Sequence, residues 1–286
     1  FLKDTSAKLA LCEAPLLKIF NAEALKGTDV VNIIVTNGTA TAANQTEAEQ
    51  FLTGMPDQLD CADTGPDHMA LWMYSSGSTG KPKGVIHLHH DLFYTQQSYA
   101  QHILKLSADD IVFSIPKMFF AYGFGNSVTF PLSVGATTVL LAEQPSPKAV
   151  LDAIEAFKPS IVFGLPTLYT ALARAEGVEK RNLSSIKRSI SAAEILSADV
   201  YNKWKALTGH GPTEGLGSTE LLHIYLSDTY DDHRLGSAGA RVPGYEIKLE
   251  TPEGQKPGAG EEGVMSVRGH SSAPQYWNRP DKTKDT

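Results

Sequence analysis

From about Asp29 to Arg188, apolar runs bounded by turn formers alternate with stretches of helical spacing. The runs VVNIIV (30–35), IVFSI (111–115), TTVLLA (137–142) and SIVFG (160–164) read as buried strands. Among the helical stretches, PKAVLDAIEAFK (147–158) is the clearest. Ser146 can cap it, Pro147 suits its first turn, Val150, Ile154 and Phe157 form one apolar stripe, and Pro159 stops it. This order predicts an α/β fold of layered, largely parallel sheets with covering helices. After Asp228 glycine and proline become frequent, and YEIKLE (245–250) and GVMSVRG (263–269) read as short strands separated by turns. A small β-rich subdomain is therefore expected at the C-terminal end. The expected organisation is a first α/β subdomain over 1–98, a second over 99–228, and the β-rich unit over 229–286.

The 286 residues suffice for one large or two modest domains, and 42% hydrophobic with 20% charged residues is an ordinary globular balance. A formal charge of -7 argues against a broad basic surface for nucleic acid, so any anion grip must be local. Cys12 and Cys61 are too few for a disulfide framework or a cysteine metal site, which suggests a reducing, cytoplasmic setting. No run reaches the ~18 apolar residues of a membrane span, and no secretory signal is visible at FLKDTSAKLA. Phe1 stands where an initiator Met would, and the polar end NRPDKTKDT closes no element, so the chain reads as part of a longer protein.

Candidate chemistry starts at YSSGSTGKPKGV (74–85). Gly77 and Gly80 let backbone N–H groups approach an anion, the hydroxyls of Ser75, Ser76, Ser78 and Thr79 add donors, and Lys81 and Lys83 add charge. This is not a Walker loop, because Pro82 follows Lys81 where that motif needs Ser or Thr. On composition alone the stretch could instead be a flexible Gly/Ser connection. A stiff proline between two lysines is poor linker design, however, and would aim Lys83 at one fixed place.

Two other stretches carry competing readings. KMFFAYGFGN (117–126) groups Phe119, Phe120, Tyr122 and Phe124 around glycines and reads, taken by itself, as a buried helix entry. His87, His89 and His90 suggest a metal, but a strand would turn only His87 and His89 to one side, and no cysteine is near. The better reading has His89 to Asp91 opening a helix that continues through Tyr94 and Tyr99.

SSGSTGKPKG (75–84) resembles the signature loop of the adenylate-forming superfamily, which includes acyl-CoA synthetases, luciferases and peptide-synthetase adenylation domains. Downstream, GLGSTE (215–220) is similar to that family's Gly-x-Ser/Thr-Thr-Glu box, and SAAE (191–194) to its adenine-bordering segment. GSAGARVPGYEIKL (236–249) and GEEGVMSVRG (260–269) resemble its later segments, so the likeness runs through nearly the whole chain in order. The resemblance implies the N-terminal domain of an AMP-forming enzyme. Ser75, Ser78, Thr79 and Lys83 would hold the β- and γ-phosphates of ATP, with Ser76, Gly77 and Gly80 among the cofactor-binding residues of the same loop. Thr219, beside Ser218, would touch the α-phosphate, and Glu220 would hold Mg²⁺. Lys83, Thr219 and Glu220 are thus the implied catalytic residues. Ala193, Glu194, Gly215, Leu216 and Gly217 would border adenine, with Leu216 standing where many members carry Tyr. Just ahead, TGHGPTEG replaces an apolar strand of the family, and Pro212 cannot donate to a sheet ladder.

Within that superfamily, FFAYGFGN and STELLHIYLS look most like benzoate-CoA ligase and related aryl-CoA ligases. By that likeness Phe120, Ala121, Tyr122, Gly217, His223 and Ile224 would line the acid pocket, and flat aromatic and aliphatic walls suit a ring. The implied reaction turns an aromatic carboxylate and ATP into aryl-AMP and pyrophosphate, after which coenzyme A displaces AMP. Members carry a C-terminal lid domain beyond the stretch matched here, so these 286 residues alone are expected to adenylate poorly. The alternatives are a member acting on an aliphatic or amino acid, and a catalytically incomplete nucleotide-binding fragment.

Overall fold

Runs of β-branched and aliphatic residues become strands, as their shape favours. In the computed structural model, residues 1–76 and 82–286 are described, Ser76 by its backbone alone. Two compact units divide the chain at Thr64/Gly65. In the first, β1 (Leu9–Glu13), β2 (Asn32–Thr36) and β3 (Gln45–Glu47) form a parallel sheet in the order β1-β2-β3. Alternation along β2 buries Ile33 and Val35 on one face.

The second unit begins with an antiparallel hairpin of β4 (Met69–Ser76) and β5 (Pro82–Leu88). It continues with β6 (Ile111–Ser114), β7 (Thr137–Val139), β8 (Ile161–Gly164), β9 (Arg188–Ala192), β10 (Thr213–Gly217), β11 (Ile224–Ser227) and β12 (Ala240–Arg241). These build a seven-stranded sheet in the order β12-β11-β10-β9-β8-β6-β7. It is parallel from β10 to β7 and antiparallel at β11 and β12. β13 (Glu246–Glu250) and β14 (Val264–Arg268) form a separate antiparallel pair.

Both faces of the large sheet are covered, which is why its central strands β6 and β8 are apolar almost throughout. Phe113 and Val162 point to one side, where they pack with Val150, Ile154, Tyr169 and Trp204. Their neighbours Val112, Ile161 and Phe163 point to the other, with Tyr99, Phe130, Tyr225 and Tyr245. Burying each large aliphatic or aromatic side chain stabilises the fold by about 1.5–3 kcal/mol. Two of the rings on the first side have their polar atoms satisfied: Tyr169 donates to the Val162 and Ile190 carbonyls, and Trp204 Nε1 donates to Ser189 Oγ at 3.0 Å.

The helix Pro147–Phe157 forms as its sequence predicts, with Ser146 Oγ accepting from Ala149 N and Lys158 ending it in left-handed backbone. Val150 and Ile154 are buried, but Phe157, at the last helical position, is 57% exposed and leaves the stripe. The strand expected over 137–142 stops at Val139, and the Leu141 carbonyl accepts instead from Lys117 Nζ. The expected breaks near 98 and 228 are not divisions between compact units. In the C-terminal region, β12 joins the large sheet and only β13 and β14 stand apart.

Candidate active site

The β4–β5 register sets Ser75 opposite Lys83 and Tyr74 opposite Gly84. Gly77 to Lys81, the tip of the glycine-rich stretch, lie outside the described residues. Behind them the hairpin gains a neighbour, since Trp277 N donates to the Gly84 carbonyl at 2.7 Å and Tyr276 bridges Val85. Trp72 and Trp277 stack with centroids 4.3 Å apart. These contacts bring the buried Tyr276 beneath Lys83, whose Nζ lies 4.0 Å from the ring centroid.

The second component is the turn Thr219–Leu221 between β10 and β11. Its Glu220 carboxylate accepts from the Tyr276 hydroxyl at 2.8 Å through Oε1, and Lys83 Nζ is 3.9 Å from that same oxygen. Both side chains remain partly exposed, at 16% for Lys83 and 28% for Glu220. A cation and a hard oxygen ligand thus face one another at the edge of solvent. The turn's backbone is held as well, with Ala273 N donating to the Glu220 carbonyl and Ser271 Oγ to that of Leu221.

His87, on the same strand as Lys83, ties the two components together. Its ring is fully buried, with Nε2 2.8 Å from the Thr219 carbonyl and Nδ1 2.7 Å from Asp91 Oδ2. A carbonyl only accepts, so Nε2 carries the hydrogen. Asp91 also accepts from Leu88 N at 3.1 Å, which caps the helix His89–Thr95. The strand ends at Leu88 and His89 opens the helix, so the three histidines do not form one ligand face.

A cleft of about 320 Å³ opens beside the turn. All six residues expected for an acid pocket line it, namely Phe120, Ala121, Tyr122, Gly217, His223 and Ile224. Ala193, Ser218 and Thr219 line it too, so an aromatic wall and the turn that precedes Glu220 share one space. The helix entry expected here forms at Ala121, which is buried, but Phe119 and Phe120 ahead of it are 68% and 57% exposed and so are not packed into the core. Ala193 follows β9 in left-handed backbone, φ 78°, a strained geometry for a residue with a Cβ.

His223 is buried among the rings of Tyr99, Tyr122 and Phe130, with Nε2 3.1 Å from Asn126 Oδ1. Burial pushes its pKa from 6.5 down to about 3, against a smaller opposing pull from the Tyr122 backbone, so the imidazole is neutral. Two glycines make its position possible. A Cβ on Gly125 would stand 2.4 Å from His223 Cδ2, and one on Gly217 2.5 Å from the His223 carbonyl oxygen.

Glu194, Gly215 and Leu216 do not line this cleft, and Leu216 packs against the aromatic core. β10 forms immediately after Pro212 and pairs in parallel with β9, so the missing N–H interrupts nothing. The sequence alone did not mark Tyr276 or Asn126 as site residues, and it raised His87 only as a metal ligand. QYWN was a visible aromatic signal for the first, but nothing local ties it to Lys83.

Comparison with known proteins identifies the family. The family described as AMP-binding enzyme matches residues 1–277. Benzoate–CoA ligase of Thauera aromatica is 41% identical over 286 residues, which cover all of this chain and 54% of that protein. Among solved structures, a benzoate CoA ligase from Burkholderia xenovorans LB400 superposes with a TM-score of 0.89 at 34% identity, over 100% of this chain and 56% of that one. The anthranilate CoA ligase AuaEII in complex with anthranoyl-AMP gives 0.93 at 32% identity, over 100% and 55%. The chain spans about half the length of the curated relatives it matches.

Proposed function

We propose, since this chain belongs to the family of AMP-binding enzymes, that it carries the adenylating site of an aryl-CoA ligase. In that reaction a carboxylate oxygen of a benzoate-like acid bonds to the α-phosphorus of ATP and the bond to pyrophosphate breaks. Coenzyme A then attacks the aryl-AMP through sulfur, forming the thioester and releasing AMP. The observation that carries this reading is the cleft that joins the Phe120–Tyr122 wall to Ser218 and Thr219, immediately before Glu220.

Each group has a physical task. Negative charge builds on the phosphates as the acid approaches, so fixed positive charge and donors lower the barrier. Lys83, steered by Tyr276 and Glu220, would supply charge at the β- and γ-phosphates, with Ser75, Ser76 and residues 77–80 adding donors. Thr219 would contact the α-phosphate. Glu220 fits Mg²⁺, because its carboxylate is a hard oxygen ligand and its partial exposure leaves room for water and phosphate. When bound, that ion would neutralise phosphate charge. Neutral His223 leaves the acid's own charge unpaired, and the rings of Phe120 and Tyr122 favour a flat substrate. Ala193 and Gly217 would border the adenine.

Cys12 and Cys61 are both free, and among the described residues no helix is long and apolar enough to cross a membrane. A cytoplasmic location forms part of this proposal. The test is pyrophosphate exchange by the complete enzyme with a panel of acids. Benzoate-like acids should support faster exchange than aliphatic or amino acids. Preference for an aliphatic acid would move the enzyme to another branch, and no exchange with any acid would leave only a binding role.

A further inference from the structure

Away from the cleft, the structure holds a second group of ionisable side chains. Glu214 lies in β10, and β10–β11 pairing sets Gly215 opposite Ser227. Asp228 therefore falls opposite Glu214, and its N–H donates to the Glu214 carbonyl at 2.9 Å. Like charges directly across a sheet repel. The turn after β11 closes through Thr229 N to the Asp232 carbonyl and Asp232 N to Thr229 Oγ1, which returns the chain so that His233 faces both acids. One ligand atom from each of Glu214, Asp228 and His233 lies within 4.8 Å of the others.

These three groups are unfinished as a hydrogen-bonded set. Glu214 and Asp228 are 5% and 4% exposed, yet Glu214 Oε2, Asp228 Oδ2 and His233 Nε2 are each buried without a hydrogen-bond partner. His233 Nε2 is 3.4 Å from Asp228 Oδ2. That is long for an N–H···O bond, but it is close to the ~3.4 Å edge of a tetrahedron built on zinc-length bonds to nitrogen and oxygen. No lysine or arginine forms an ion pair with either carboxylate among the described residues, so two acids share one imidazole. A divalent ion with two carboxylates and a neutral imidazole would bring the cluster to zero net charge.

The outer contacts also suit coordination. Glu214 Oε1 accepts from Leu196 N at 2.8 Å, which fixes the carboxylate and leaves Oε2 free. The His233 ring stacks on Tyr201 at 4.8 Å with planes 6° apart. His233 retains 14% side-chain exposure, an opening through which water could supply a fourth ligand.

We infer that Glu214, Asp228 and His233 form a structural site for a divalent transition ion of the zinc class, which clamps β10 to the turn after β11. An imidazole with only three protein ligands favours such an ion over Mg²⁺ or Ca²⁺, which prefer more oxygen donors. The site is separate from Glu220 and needs no nucleotide.

The test uses tag-free protein treated with chelator and then titrated with Zn²⁺ without nucleotide. One ion per chain should bind and raise the melting temperature. The double variant Asp228→Asn/His233→Gln should lose affinity by at least about 100-fold. Absence of saturable binding by the wild type, or equal binding by the variant, overturns the proposal. Should that variant fail to fold, wild-type protein with Co²⁺ decides. Intense visible bands of a four-coordinate ion support the site, and the weak spectrum of aqueous Co²⁺ rules it out. In the latter case the carboxylates are kept apart by a proton.

Discussion

The Lys83 ammonium and the Glu220 carboxylate, 3.9 Å apart, are both steered by the side chain of Tyr276. The ring lies beneath the cation while the hydroxyl donates to the anion. The lysine-bearing strand and the carboxylate-bearing turn thus meet through a residue remote from both. As partly exposed groups they add little to stability as an ion pair, about 0–1 kcal/mol. Their arrangement is better explained as preparation for a charged ligand.

Replacing Lys83 with Ala, or Glu220 with Gln, should lower ATP-dependent pyrophosphate exchange by about 100-fold or more. Unfolding free energy should change by less than about 1 kcal/mol. Exchange at the wild-type rate in either variant would remove these residues from the proposed machinery.

Tyr276→Phe separates the two tasks of that side chain. The ring under Lys83 survives while the hydroxyl bond to Glu220 is lost, so KM for ATP should rise less than in Tyr276→Ala. Steady-state kinetics of both variants would show this order, and the reverse order would refute it.

Gly125→Ala places a methyl 2.4 Å from His223 Cδ2 and should destabilise the protein by about 1–3 kcal/mol. Adding His223→Ala should recover part of that loss, because the clashing ring is gone. Gly217→Ala meets a backbone carbonyl instead, and the same second change should not rescue it. Denaturant unfolding of the five proteins forms the comparison.

His223 is held neutral by burial, its pKa lowered from 6.5 to about 3. The unfolded chain therefore binds a proton below pH 6.5 that the folded protein refuses. Its contribution to stability is complete above pH 6.5 and falls as pH drops toward 3. Between pH 7 and pH 5 the wild type should lose about 2 kcal/mol more than His223→Gln. Equal losses in urea melts at the two pH values would mean that His223 titrates normally.

His87→Ala removes the donor to the Thr219 carbonyl and leaves Asp91 buried beside an empty space. The expected cost is about 3–5 kcal/mol. Combining it with Asp91→Asn should cost less than the sum of the single changes, since the two side chains bond to each other. Strict additivity in thermal unfolding would show that the two do not act as a pair.

The sequence by itself determined the local elements. Apolar runs in β6, β7 and β8 marked buried strands, and Ser146, Pro147 and the 150/154 spacing marked the helix between the last two. The aromatic stretch 117–126 and the GLGSTE box were also visible, and their meeting at one cleft was expected only through family resemblance. Periodicity records which face of an element is apolar and says nothing about which distant segment will cover it. Only the tertiary structure decided that Tyr276 lies under Lys83, that His87 reaches the Thr219 carbonyl, and that Phe119 and Phe120 open onto a cleft. The same holds for Glu214 and Asp228, which are unremarkable acids along the chain. Antiparallel register sets them face to face, and register is a property of paired strands that no single stretch of residues contains.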